Sequence, residues 1–365
     1  MAATPHAPVP TARGAVTAGA SRIESVGLRL PERRLSTREL LDSCQHRVRV
    51  DLERLTGIRE RRVCGEGEDS YTLAVDAAFD CLAHSRYGAA DLDAVISTSI
   101  TKYHGGLSYR FEPALSLAVK EAIGARQALH FDVSSACAGM LTGIAILDAY
   151  IRSGRIRRGL VVSGEYITSI ADNARRSVRT VASRELASLT VGDAGAAVVL
   201  ERAPEGVPGI AAWEFATYGV HSRLCVGRAA PGAPGAAMVT RPRKLHRVAI
   251  DSCTPSIRRV LERAGVSIQD VDWVLPHQTS VRAIRAGQKH VSAELGGWAR
   301  NTICNLEEVG NTASTTHFVA LYRYLEEQRI RPGERVLMLC FASGLTIGAL
   351  LFTMDELGER YGHPH

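Results

Sequence analysis

The chain repeats its own plan, and that repetition constrains its fold more than any other feature. The segment AAFDCLAHSRYGAADLDAVISTSIT, ending at Thr101, parallels SIRRVLERAGVSIQDVDWVLPHQTS, ending at Ser280. Each reads as an amphipathic helix, a glycine-containing turn, an acidic helical-turn signal and a strand. Further on, SGRIRRGLVVSGE from Ser153 echoes EQRIRPGERVLMLC from Glu327: a helix end, a basic turn and a buried strand. The two Arg-Ile-Arg triplets begin at Arg155 and Arg329, 174 positions apart, and the same offset carries Cys137 onto Asn311. Strands alternating with helices in both halves imply mostly parallel sheets with helices on their faces. The expected class is therefore α/β, a duplicated five-layer α/β/α/β/α sandwich. The first half spans residues 21–205 and the second 206–365. Residues 227–244, GRAAPGAPGAAMVTRPRK, read as a long mobile loop in the second half.

Cys137 lies in the run HFDVSSACAGMLTGIAILDAYIRSG. Leu129 to Val133 reads as a short buried strand, and the Ala/Gly/Leu/Ile-rich stretch after Ser135 as a buried helix. That places Cys137 at a strand-to-helix elbow, where free N–H groups and the helix dipole favour an anion. A thiolate of lowered pKa is the expectation. A buried cysteine that packs as a small hydrophobe is the alternative.

The other seven cysteines (44, 64, 81, 225, 253, 304 and 340) show no paired metal-ligand spacing, and several lie in apolar runs, as Cys340 does in RVLMLCF. No metal is called for, and a reduced, cytoplasmic protein is the expectation. No stretch is apolar enough to span a membrane. Residues 1–20 are Pro/Ala-rich, lack the apolar centre of a signal peptide, and read as a disordered tail. The net charge is +6, with arginines grouped at 152, 155, 157 and 158 and again at 175, 176 and 179. Aromatics make up only 5% of the chain and no nucleic-acid motif is present, which argues against base stacking. A basic rim fits an anionic partner, such as a phosphopantetheine carrier protein or coenzyme A.

Cys137, His277 in VDWVLPHQTS and Asn311 in VGNTAS all fall at strand ends or helix starts on one edge of this fold. Separately, His277 could be a core histidine and Asn311 a helix N-cap; together in a duplicated α/β chain they form a constellation. SSACAGM, PHQTS and GNTAS resemble the three active-site motifs of the ketosynthase III (thiolase-fold) condensing enzymes. LTGIRERRV (55–63) and VGDAGAAVVLER (191–202) resemble two further signatures of that family, and the similarity runs from about residue 21 to 353. The resemblance implies the five-layer duplicated fold, a homodimer, and ping-pong acyl transfer with Cys137 as the acylated nucleophile. His277 and Asn311 would bind the second thioester carbonyl and stabilise its enolate, as neutral N–H donors suit. The backbone N–H groups of Cys137 and of Ser343, in FASGLTIG, would form the oxyanion hole of the first step. Acyl groups would arrive on coenzyme A or on acyl-carrier-protein phosphopantetheine, with no bound cofactor.

Two departures bear on the substrate. Where fatty-acid-initiating members carry a Trp and an Arg for the coenzyme A adenine, this chain has Asp51 and Leu55. Arg282, five residues after His277, matches a basic residue lining the phosphopantetheine tunnel. Glu112, before Pro113 and 25 residues ahead of Cys137, resembles the glutamate of the head-to-head condensing branch that builds olefin precursors. There it crosses the dimer interface and helps remove an α-proton. Acyl transfer to an alcohol or amine, and a non-catalytic partner subunit, are the competing readings.

Overall fold

A computed structural model describes residues 20–362; the expected tail lies almost wholly outside the described residues. The first half builds strands β1 (Ser21–Arg29), β2 (Arg34–Ser36), β3 (Glu60–Arg62), β4 (Ala94–Ser97), β5 (Leu129–Asp132), β6 (Arg158–Glu165) and β7 (Ala194–Arg202). Its helices are α1 (Thr37–Asp42), α2 (Leu52–Thr56), α3 (Ser70–Ala83), α4 (Leu115–Ile123), α5 (Gly139–Arg152) and α6 (Ser169–Ala174). The second half adds β8 (Ile210–Thr217), β9 (Cys225–Ala229), β10 (Ala236–Thr240), β11 (Trp273–Pro276), β12 (Asn301–Thr302), β13 (Arg335–Ala342) and β14 (Thr346–Thr353). Its helices are α7 (Pro242–Ala264), α8 (Val281–Leu295), α9 (Leu306–Val309) and α10 (Thr316–Glu326). No helix of the described residues is long and apolar enough to cross a membrane.

The two main sheets have the same topology. One runs β1-β7-β6-β4-β5 and the other β8-β14-β13-β11-β12, so each strand has a counterpart at the same place in the other half. In both, the three-strand parallel part carries antiparallel strands on one side. Helices α3 and α4 cover the outer face of the first sheet, and α7 and α8 that of the second. Helices α5 and α10 are buried between the sheets in one continuous core. Asp148 of α5 fastens this layer, accepting from Ser21 Oγ at 2.7 Å, Arg152 Nε at 2.8 Å and Trp213 Nε1 at 2.9 Å. The five layers are those the duplicated sequence implies.

Three expectations change. Helix α5 begins at Gly139 and α10 at Thr316, 177 positions apart, whereas they end at Arg152 and Glu326, 174 apart. Helix α10 is three residues shorter, so the offset read from the basic turns fails at the helix starts. Ala136 and Ala313, both at positive φ (45° and 56°), mark the true register. The counterpart of Cys137 is therefore Ser314, and Asn311 pairs with Ser134. Second, residues 227–244 are no loop. They lie in the hairpin β9–β10 and the start of α7, and the Asn173 amide ties the hairpin down by donating to Pro234 O at 3.0 Å and Ala236 O at 2.9 Å. Third, β5 is an edge strand, and Leu129 is 58% exposed.

Helix α3 lies unusually close to the first sheet because glycines meet it there. A Cβ at Gly164 would stand 1.9 Å from Ser70 O, and one at Gly195 2.0 Å from Leu73 O. Gly164→Ala is expected to cost about 1–3 kcal/mol through overpacking and to lower the melting temperature in calorimetry. Gly219→Ala, facing open space, should leave it unchanged.

Candidate active site

Cys137 occupies a single 3₁₀ turn, Ala136–Ala138, between β5 and α5. This turn packs on β13 and β14 of the second half, and the Cys340 S–H donates to the Cys137 carbonyl at 3.1 Å. Ser343 sits in the turn joining β13 to β14, the two strands on which the nucleophile's turn packs. His277 follows the last residue of β11 and is 4% exposed. Its N–H donates to Leu339 O at 2.7 Å, continuing the parallel pairing with β13 past the strand end. Its Nδ1 is sealed from solvent with no partner.

Asn311 is held by the first half. Its N–H donates to Thr190 O at 2.9 Å and its carbonyl accepts from Gly192 N–H at 3.1 Å, forming a parallel bridge with Val191. The side-chain Oδ1 accepts from Ala313 N–H at 3.1 Å, so Nδ2 is the end free to donate. The two auxiliary motifs explain themselves here. Gly192 allows the approach, since a Cβ on it would stand 2.0 Å from Val309 O. Arg61 is fully buried and donates to Leu189 O at 3.1 Å. Asp193 ties the motifs together, accepting from Cys64 N at 2.8 Å and from Thr168 N and Oγ1 at 2.7 and 2.6 Å. Burial raises its carboxyl to about 7. A serial reading sees three motifs; the fold makes them one support under Asn311.

The imidazole and the thiol are both held uncharged. Burial, with His317 and His246 alongside, lowers His277 to about 3, so it works as a neutral donor. Burial, then the neighbouring Cys225 and the Glu165 carboxylate, pushes the Cys137 thiol up to about 12. This corrects the expectation of a lowered thiol pKa. A helix N-terminus contributes at most ~2 kcal/mol at a partly buried site, about one and a half pH units on a thiol, and desolvation outweighs it. Alkylation of Cys137 by iodoacetamide should therefore rise about tenfold per pH unit from pH 7 to 9 without levelling, because only the thiolate reacts. A plateau in that range, followed by mass spectrometry of the Cys137 peptide, would restore the low-pKa reading.

Sequence reasoning missed the layer beneath. Glu165, at the end of β6, is buried and accepts five hydrogen bonds: Ile100 N, Thr101 N, Thr101 Oγ1, Ser163 Oγ and Ser314 Oγ, at 2.6–3.2 Å. His317 and Cys340 lie behind His277, both fully buried. The periphery differs from the centre. Glu112 and Arg282 are exposed. Asp51 caps α2 through Arg54 N–H at 2.8 Å, and Leu55 packs in a local apolar cluster. Neither offers an adenine-binding surface.

Known proteins resemble the chain as a whole. Residues 131–219 match the model of 3-oxoacyl-[acyl-carrier-protein] synthase III, and residues 261–354 match its C-terminal counterpart. The β-ketoacyl-[acyl-carrier-protein] synthase III of Deinococcus deserti is 30% identical over 301 residues, covering 81% of this chain and 80% of the relative. The chain belongs to the β-ketoacyl synthase III family. Among solved structures, the synthase III of Aquifex aeolicus superposes with a TM-score of 0.77 at 26% identity, covering 92% of this chain and 100% of that one. Xanthomonas campestris OleA, solved with lauric acid and lauroyl-CoA, gives 0.81 at 21% identity over 93% and 100%, a likeness of fold. The likeness to the β-ketoacyl synthase III structures covers nearly the whole described chain.

Proposed function

We propose that this chain condenses two acyl thioesters into a β-ketoacyl product through an acyl-Cys137 intermediate, receiving them from coenzyme A or acyl carrier protein. The observation that carries the reading is the donor pair, a neutral His277 ring and an Asn311 amide turned by Ala313, beside a nucleophilic thiol. In the first step Cys137 takes the acyl group, and its proton leaves with the departing pantetheine thiol. The backbone N–H groups of Cys137 and Ser343 receive the oxyanion. In the second, His277 and Asn311 donate to the enolate oxygen of the other thioester. Its α-carbon bonds to the acyl carbon as the Cys137 thioester breaks. Arg282, exposed at the start of α8, is suited to the pantetheine phosphate.

The roles separate experimentally. Cys137→Ala should abolish acyl labelling of the intact protein. His277→Ala and Asn311→Ala should still self-acylate while losing roughly 10²–10³ in product formation, as expected for an oxyanion donor. Equal loss of both steps in the two Ala variants would overturn the assignment.

For the second substrate we infer an acyl chain rather than a malonyl unit, with Glu112 as the base supplied across a homodimer. Three features support it. Lys102 pairs with Asp132 at 2.6 Å, and Asp132 accepts from Ser116 N–H at 3.0 Å, which fixes the 102–114 loop over the end of β5. That strand is an open edge. Beside Glu112, Phe111 is 80% and Tyr109 45% exposed, an apolar surface suited to a second copy. Glu112→Gln should then remove condensation of two acyl chains and leave acylation intact. Malonyl-dependent CO₂ release unchanged by the substitution would show a decarboxylating enzyme instead.

A further inference from the structure

His277, His317 and Cys340 bring one ligating atom each to within 4.8 Å of one another, and all three residues are buried. The duplicated architecture makes this cluster conspicuous. By the 177-position register, Cys340 is the counterpart of Ser163 and His317 that of Met140. The first half therefore folds the same layer without either ligand, and packing alone does not demand them. We propose that His277, His317 and Cys340 form a transition-metal site of the zinc class behind Cys137, whose occupancy takes His277 out of condensation.

The chemistry of each group fits. His317 Nε2 is 3.0 Å from Leu339 O; a carbonyl only accepts, so the proton is on Nε2 and Nδ1 carries the lone pair. A metal-binding imidazole ordinarily donates its other N–H to a carbonyl in this way. The Nδ1 atoms of both His277 and His317 are buried without a partner. Cys340 supplies the soft sulfur, and two imidazoles with a thiolate suit Zn²⁺ or its analogue Co²⁺. On binding, the Cys340 S–H proton is released to solvent and its hydrogen bond to the Cys137 carbonyl is given up. Tetrahedral ligands at ~2.0–2.3 Å from zinc stand roughly 3.5 Å apart, so the cluster must close by about 1 Å. That pulls the His277 ring away from its catalytic placement, and a misplacement of that size costs on the order of 10²-fold in rate.

The test uses full-length Cys137→Ser protein, which removes the nucleophile as a rival ligand. Co²⁺ titration should give one equivalent with a sulfur-to-cobalt charge-transfer band and tetrahedral visible bands, both displaced by Zn²⁺. Adding Cys340→Ser should remove the charge-transfer band, and adding His317→Met should remove the tetrahedral spectrum. These replacements are the residues the first half carries at the matching places, and circular dichroism checks that each variant folds. In the wild type, one equivalent of Zn²⁺ should lower condensation about 10²-fold, a chelator should restore it, and Cys340→Ser should be insensitive. This activity arm rests on the condensing reading, whereas the cobalt arm does not. Absence of metal uptake by the Cys137→Ser protein, or the same spectrum in both added variants, would overturn the site. Uptake without inhibition would overturn its effect on His277.

Discussion

Each half of the molecule completes the helix start of the other, and the site depends on that exchange. The turn before α10 reaches the end of β6, where Ser163 Oγ and Ser314 Oγ lie 2.6 Å apart. The turn before α5 reaches the end of β13, where Cys340 Sγ meets the Cys137 carbonyl at 3.1 Å. These are equivalent residue pairs under the pseudo-symmetry of the sheets, one joined hydroxyl to hydroxyl and the other thiol to backbone carbonyl. Two buried helices can begin at one end of a sandwich only if their first turns find polar partners, because unpaired backbone groups are costly away from water. The Cys340 contact supplies one at the Cys137 carbonyl, and the two cross-contacts bring non-identical helix starts to one place.

Duplication then permits specialisation. His277 extends β11 beside Leu339, as Thr98 extends β4 beside Val162 through an N–H bond of 2.9 Å. Thr98, Ser134 and Ser314 hold the places that His277, Asn311 and Cys137 hold in the opposite half. One set carries small hydroxyls, of which Thr98 and Ser314 bond to the frame; the other carries the motif residues. Glu165 supports the first set. Its oxygens hold the Ile100–Thr101 backbone and Ser314 together, which braces the floor on which Cys137 stands.

The motif residues were legible because their neighbours announce the local fold: a strand before Cys137, a strand and Pro276 before His277, and Gly310 before Asn311. What lay hidden depends on register and environment. The offset taken from the basic turns equated Cys137 with Asn311, since a helix three residues shorter leaves no mark in those turns. Cys340 read as core because it sits in an apolar run, His317 drew no reading, and only the third dimension sets them behind His277. The elbow suggested a lowered thiol pKa, yet a dipole of fixed size cannot offset burial that the sequence does not display. The Gly/Pro-rich 227–244 segment became a hairpin through Asn173, a residue more than fifty positions away.

The electrostatics also narrow how a second substrate can be activated. A ring lowered to about 3 donates a hydrogen bond but does not take up a proton at neutral pH, and the Asn311 amide is no base. In the proposed reaction the pair would stabilise an enolate without generating it. Of the buried carboxylates, Glu165 is the one whose charge acts on Cys137, and burial raises its pKa, which on pH grounds alone would suit a base. Geometry removes it. Its two oxygens offer about four lone-pair sites, and five donors from Ile100, Thr101, Ser163 and Ser314 already occupy them. Proton abstraction there would first require dismantling the joint between the two helix starts. A carbanion formed at this centre must therefore come either from loss of CO₂ or from a carboxylate outside that joint, the role proposed for Glu112 on the exposed loop over β5.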